Sequence, residues 1–220
     1  MKEAKAPRIS IPKYTLGEEL ISAISHGVGA LMAIAALVLC VVKAAHHQDM
    51  WAIVSGAVYG FTLIVLYLMS TLYHSLKVNK AKRVFRVIDH CSIFLLIAGT
   101  YTPFTLVSLR DTVGWLLFAV VWAAAIIGIV LNAISLKKFA VASVICYLAM
   151  GWVVVFAFGH LKAALPWEAI SLLIWGGVAY TVGAVIYGIG AKKKYFHSVF
   201  HFFCLAGSLL HFLSVYLYVM

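Results

Sequence analysis

Charge is scarce in this sequence, and negative charge scarcer still. Of its 220 residues, 11% are Asp, Glu, Lys or Arg, less than half of the roughly 25% typical of a water-soluble domain. So little polar side chain cannot cover a globule, which excludes a soluble fold. A bilayer solvates apolar side chains without that penalty. Seven acids stand against 17 Lys and Arg, a balance that in a soluble protein would raise nucleic acid as a partner. Here the basic residues sit in short gaps between apolar runs, where they act as topology signals and contacts to lipid phosphates. Nucleic acid is therefore excluded. The four cysteines, Cys40, Cys91, Cys146 and Cys204, lack CxxC spacing, so no disulfide framework or redox pair is expected and packing as small hydrophobes accounts for them. Strands of alternating polarity are missing, which removes a membrane β-barrel. So are low-complexity tracts, composition shifts and a transporter-like internal repeat, which leaves one domain.

What is present is apolar length. Hydrophobic residues make up 65% of the chain, and the mean hydropathy is +1.04. Crossing about 30 Å of hydrocarbon at 1.5 Å per residue takes roughly 20 residues. Seven such runs occur, at about 20–45, 50–76, 87–109, 113–136, 139–161, 167–190 and 196–220. The expectation is an all-α polytopic membrane protein with a tail at 1–18 and seven transmembrane helices within 19–220. The tail carries Lys2, Lys5, Arg8 and Lys13 and lacks the features of a cleaved signal peptide, so the first run should remain as an anchor. Fourteen of the Lys and Arg residues fall on one side: those four, Lys77, Lys80, Lys82, Arg83, Arg86, Lys137, Lys138 and Lys192 to Lys194. Lys43, Arg110 and Lys162 fall on the other. That asymmetry puts the N-terminus in the cytoplasm and the C-terminus outside, as in a bacterial inner-membrane protein. Gly56 and Gly60 form a GxxxG pair that predicts close helix packing.

An ionisable side chain at membrane depth is costly and marks a site by default. Asp89 is the one carboxylate expected to enter a helix. His197 and His201 are spaced i, i+4, so both imidazoles share a helix face and can bind one metal ion. His74, with Ser70 one turn before it, ends the second run on the side where His197 opens the seventh and Asp89 opens the third. Three imidazoles at one depth would leave a fourth tetrahedral position for water, made acidic by zinc. Asp89 could hydrogen-bond that water, and Ser70 could orient it or a substrate carbonyl. Each residue also has a plainer reading: an HxxxH pair as hydrogen-bonded core, Ser70 bonded to its own i−4 carbonyl. His26 either reaches the site or plays a polar interfacial role. His90 points about 100° away from Asp89, His211 lies two to three turns too deep, and Cys204 and Asn132 are expected to pack or to bond between helices.

These residues resemble the hemolysin III proteins, bacterial members of the progestin and adipoQ receptor group within a wider superfamily of proposed membrane hydrolases. The resemblance spans nearly the whole chain. It rests on Glu19 with Ser25, His26 and Gly27, on STLYH from Ser70 to His74, on Asp89, and on HSVFH from His197 to His201. It implies that His74, His197 and His201 are zinc ligands, with Ser70 and Asp89 beside the metal and Glu19 and His26 nearby. The superfamily includes alkaline ceramidases, so the implied activity is zinc-dependent hydrolysis of a lipid amide or ester, with membrane lipid as substrate or ligand. Two alternatives are a receptor-like regulator of membrane lipid state with structural zinc, and a cytolytic, pore-forming hemolysin. The second predicts polar faces along several helices, which the sequence does not show. Nothing in the residues specifies an oligomeric state.

Overall fold

The computed structural model describes residues 11–190 and 193–220. Lys2, Lys5 and Arg8 of the basic tail and Lys192 of the last basic gap lie outside them. Among the described residues every regular element is helical. They are α1 (Leu16–His46), α2 (Met50–Ser75), α3 (Lys80–Pro103), a π turn (Phe104–Ser108), α4 (Gly114–Trp152), a 3-10 turn (Val153–Ala157), α5 (Phe158–Ala164), α6 (Trp167–Ile189) and α7 (Phe196–Tyr218). Six helical stretches are long and apolar enough to cross a membrane. Helix is what such sequences must adopt in hydrocarbon, because every backbone N–H and C=O finds its partner within the segment.

Polar caps, rather than hydropathy, set where α1 and α3 begin. The Thr15 hydroxyl accepts the Glu18 N–H at 3.3 Å while the Glu18 carboxylate accepts the Thr15 N–H at 2.8 Å. This capping box starts α1 at Leu16, ahead of the apolar run from residue 20. The Asn79 side chain accepts the Lys82 N–H at 2.8 Å, so α3 starts at Lys80 and not near Val87. Most of the basic gap is therefore helix. Pro103, which has no N–H to donate, passes α3 into the π turn. Helix α7 has no side-chain cap of its own. Glu18 of α1 serves instead, accepting the Tyr195 N–H at 2.7 Å, and its charge suits a helix N-terminus.

The fourth stretch, Gly114–Ala164, has 51 residues, or about 75 Å if straight. It is not straight. Ser135 has φ −164° and ψ 99°, outside helical values. Ser143 donates to Asn132 Oδ1 at 2.6 Å, and Asn132 Nδ2 donates to the Tyr147 hydroxyl at 3.2 Å. Eleven residues of straight helix would separate Asn132 from Ser143 by about 16 Å, so the chain doubles back at Ser135. The charges had marked the break at Lys137 and Lys138; the polar contacts place it two residues earlier.

Helix α1 lies between α2 and α7. A Cβ on Gly60 would come within 2.6 Å of the Leu37 backbone, whereas one on Gly56 would stand 3.2 Å from the Cys40 and Met220 side chains. Along α7, Ser198 Oγ donates to the Glu18 carbonyl at 3.2 Å, and at the far end Lys43 donates to the Tyr216 carbonyl at 2.6 Å. The Tyr67 hydroxyl of α2 donates to Ser208 of α7 at 2.6 Å. All four cysteines are free.

Candidate metal centre

The capped starts of α1, α3 and α7 and the end of α2 meet at one end of the bundle, and they bring the polar residues together there. The Nε2 atoms of His74 and His197 are 3.2 Å apart, as are those of His197 and His201. These three side chains form the histidine group that could hold a metal ion among the described residues. His74 and His201 are buried, at 3% and 1% exposure.

The chemistry of the donors favours a cation. Glu19 Oε2 lies 2.7 Å from His74 Nδ1. A carboxylate oxygen only accepts, so Nδ1 carries the proton and Nε2 presents a lone pair toward the cluster. His197 Nε2 then faces two nitrogens. It can donate one proton or accept one, so both 3.2 Å contacts cannot be hydrogen bonds at once. A cation seated among the three nitrogens satisfies all of them.

Glu19 is itself held. Lys82 donates to Glu19 Oε1 at 2.5 Å and to the Leu76 carbonyl at 3.0 Å, with 2% of its side chain exposed. On the opposite side Tyr14 stacks on the His197 ring, centroids 4.9 Å apart and planes at 14°. Tyr187 approaches the same ring at 5.6 Å. Burial, then the neighbouring Tyr73 and Tyr187, raises the Tyr14 phenol above its usual range, so the ring stays neutral.

The cluster borders a cavity of about 420 Å³. Ser70, Asp89, His26, His197 and His201 line it at this end, with Ser70 beside the Asp89 carboxyl. Tyr101, Trp152, Gly177 and His211 line its inner half. From His197 to His211 is fourteen residues, so the cavity runs about 21 Å along α7. It is a largely apolar slot with the histidine cluster at one end and His211 at the other. His211 shares the slot but not the cluster, bonding the Leu173 carbonyl at 3.1 Å. His90 also lines it, and its Nδ1 is 3.8 Å from Asp89, too far for a hydrogen bond. Cys204 is buried, and its carbonyl accepts from the Tyr67 hydroxyl at 3.2 Å.

Of the seven residues singled out from the sequence, His74, His197 and His201 form the cluster, Glu19 bonds His74, and Ser70, Asp89 and His26 line the cavity beside it. Sequence reasoning missed Lys82, Tyr14 and Tyr187. Lys82 left a signal: it is seven residues before Asp89 and so on the same helix face, visible once α3 is known to start at Lys80. Tyr14 lies in the short segment before α1 and left none.

A bundle of long apolar helices closed around a buried histidine cluster and a slot defines a multi-pass membrane protein with a candidate metal centre. The chain belongs to the haemolysin-III related family, whose sequence model matches residues 14–212. It is 41% identical over 203 residues to Hemolysin-3 of Bacillus cereus, covering 92% of both chains. It is 42% identical over 205 residues to the Hemolysin-3 homolog of Bacillus subtilis (strain 168), covering 93% of this chain and 96% of the relative. A more distant relative is the human monocyte to macrophage differentiation factor, 22% identical over 183 residues, 78% of this chain and 73% of that one. No solved structure matches at a significant level. The protein is a multi-pass protein of the cell membrane.

Proposed function

We propose that this protein is a zinc-dependent hydrolase of a lipid amide or ester, working within the cytoplasmic leaflet. The observation that carries the reading is the convergence of three imidazole Nε2 atoms, one held in tautomer by a carboxylate, at one end of a largely apolar slot. Nitrogens about 2.0–2.1 Å from zinc in a tetrahedron stand roughly 3.3–3.4 Å apart, close to the 3.2 Å of two of the three pairs. Three protein ligands and an open position are the pattern of catalytic rather than structural zinc. Bound there, zinc would supply a Lewis acid that acidifies water and polarises a carbonyl. The chain's own residues do the rest. Asp89 accepts the proton of the attacking water and returns it to the departing amine or alcohol as the C–N or C–O bond breaks, Ser70 donates a hydrogen bond to the oxygen that gains charge, and the slot holds the acyl chain so that its carbonyl lies among them.

The topology follows from the same reading. The stretch that doubles back at Ser135 crosses twice, giving seven crossings, with the N-terminus and the metal centre on the cytoplasmic side where Lys and Arg accumulate. A reporter fused after Met220 is expected outside.

Metal analysis of purified wild type and His201→Ala, followed by product detection on a panel of N-acyl and O-acyl lipids, tests the proposal. The expected result is stoichiometric zinc in the wild type, loss in the variant, and turnover that follows the zinc. Equal metal in both refutes the site; bound zinc with no turnover supports a regulator with structural zinc. The name of the Bacillus cereus relative favours a second reading, cytolysis, which erythrocyte lysis by the purified chain would support.

A further inference from the structure

Metal-ligating histidines ordinarily bond a carboxylate, carbonyl or water through the nitrogen that does not face the metal, and that bond fixes the ring. His74 follows this pattern through Glu19. The two histidines of α7 do not: Nδ1 of His197 and Nδ1 of His201 are buried with no hydrogen-bond partner among the described residues. His201 Nδ1 approaches the Ser22 carbonyl without reaching hydrogen-bond geometry.

Each ring instead lies flat against another. Tyr14 stacks on His197 with planes at 14°. His26 stacks on His201 with centroids 3.7 Å apart and planes at 22°. His26 is 3% exposed, and neither of its nitrogens has a hydrogen-bond partner, although the ring comes near the His201 carbonyl. Its edge meets Tyr67, centroids 5.0 Å apart at 87°, so the ring is wedged between α2 and α7.

Stacking also decides what His26 cannot be. A metal lies near the plane of the imidazole that binds it, about 2.0–2.1 Å from the nitrogen. The centroid of His26 is 3.7 Å from that of His201 and the rings are nearly parallel, so an ion in the plane of His201 lies well off the plane of His26. His26 in this pose is not a fourth ligand.

We propose that Tyr14 and His26 are positioning residues that orient His197 and His201 by ring stacking, the task that Glu19 performs for His74 by hydrogen bonding. The inference rests on the metal reading above. It makes ring shape, not nitrogen chemistry, the property of His26 that matters.

The test is zinc affinity of metal-stripped protein in detergent, measured by competition with a chromogenic chelator. His26→Phe and Tyr14→Phe keep a flat ring and are expected to bind zinc close to wild type. His26→Leu and Tyr14→Leu are apolar but not flat, and are expected to bind about 10- to 100-fold more weakly, as for other losses of a ligand's support. All four substitutions are neutral, so no change of charge clouds the comparison. Gel filtration and thermal melting confirm folding; if a Leu variant fails to fold, His26→Phe alone still decides. His26→Phe as weak as His201→Ala would mean that the nitrogens act, and would overturn the proposal. Leu variants that bind like wild type would overturn it too. A wild type that takes up no zinc would sink the metal reading beneath it, whereas zinc-loaded wild type with either failure above sinks this inference alone.

Discussion

Replacing Glu19 separates what the carboxylate does for the metal from what it does for the fold. In Glu19→Gln, one side-chain oxygen must serve both His74 Nδ1 and the Lys82 ammonium, where two serve now at 2.7 and 2.5 Å. The lost charge-assisted bond to His74 is worth about 1.5–3 kcal/mol, and each 1.4 kcal/mol is tenfold in affinity. Zinc binding should therefore weaken about 10- to 100-fold, the range seen when other carboxylate partners of ligating histidines are removed. Stability suffers for a different reason. Lys82 keeps 2% side-chain exposure and loses its counter-charge, a broken buried pair that costs about 3 kcal/mol, the low end of the usual range because Glu19 retains some solvent. The double variant Glu19→Gln/Lys82→Met removes the stranded cation as well. It should recover most of the melting temperature and none of the zinc affinity. Zinc competition and thermal melting in the same detergent read the two effects. A double variant that regains wild-type affinity, or a single variant that never loses it, refutes the role given to Glu19.

The paired glycines should behave unequally: Gly60→Ala forces a Cβ to 2.6 Å from the Leu37 backbone, an overpacking cost of about 1–3 kcal/mol, while Gly56→Ala meets the Cys40 Cβ and Met220 Sδ at 3.2 Å and should lower the melting temperature less. Asn132→Leu leaves Ser143 and Tyr147 without their partner across the reversal and should lower stability by about 1–3 kcal/mol; a melt unchanged from wild type would show that the hairpin does not depend on it. Gly177→Leu adds bulk to the inner half of the slot, where a Cβ meets only Trp152 at an ordinary 3.5 Å. If the slot holds an acyl chain, product analysis over a range of chain lengths should show the longest substrates lost first and zinc content unchanged. Uniform loss across lengths would count against the slot as the chain's site.

The histidines were legible because their signal is local and redundant: HSVFH puts two imidazoles on one helix face, and the Lys and Arg asymmetry set His74 and Asp89 at the same depth. What tunes them was hidden. Glu19 and His74 are 55 residues apart, Lys82 and Glu19 are 63, and pairing over such separations leaves no periodicity. The charges themselves misled at α3, where residues assigned to a gap form two helical turns, because an Asn79 cap and a buried lysine stem are cheaper than leaving that helix frayed. At Ser135 the converse held. Lys137 and Lys138 marked the reversal only to within two residues, and the extended backbone of Ser135 with Asn132, Ser143 and Tyr147 bonding across it shows where the chain turns.

The opening residues of the chain are bound to its closing helix: Glu18 holds the amide of Tyr195, and His74 meets His197 across a separation of 123 positions. A nascent chain inserts its first two helices long before α7 leaves the ribosome. During that interval Glu19 and His74 wait in the membrane with part of the candidate site. Any chain cut short before Phe196 lacks two of the three histidines, so the cluster can close only after α7 has been made.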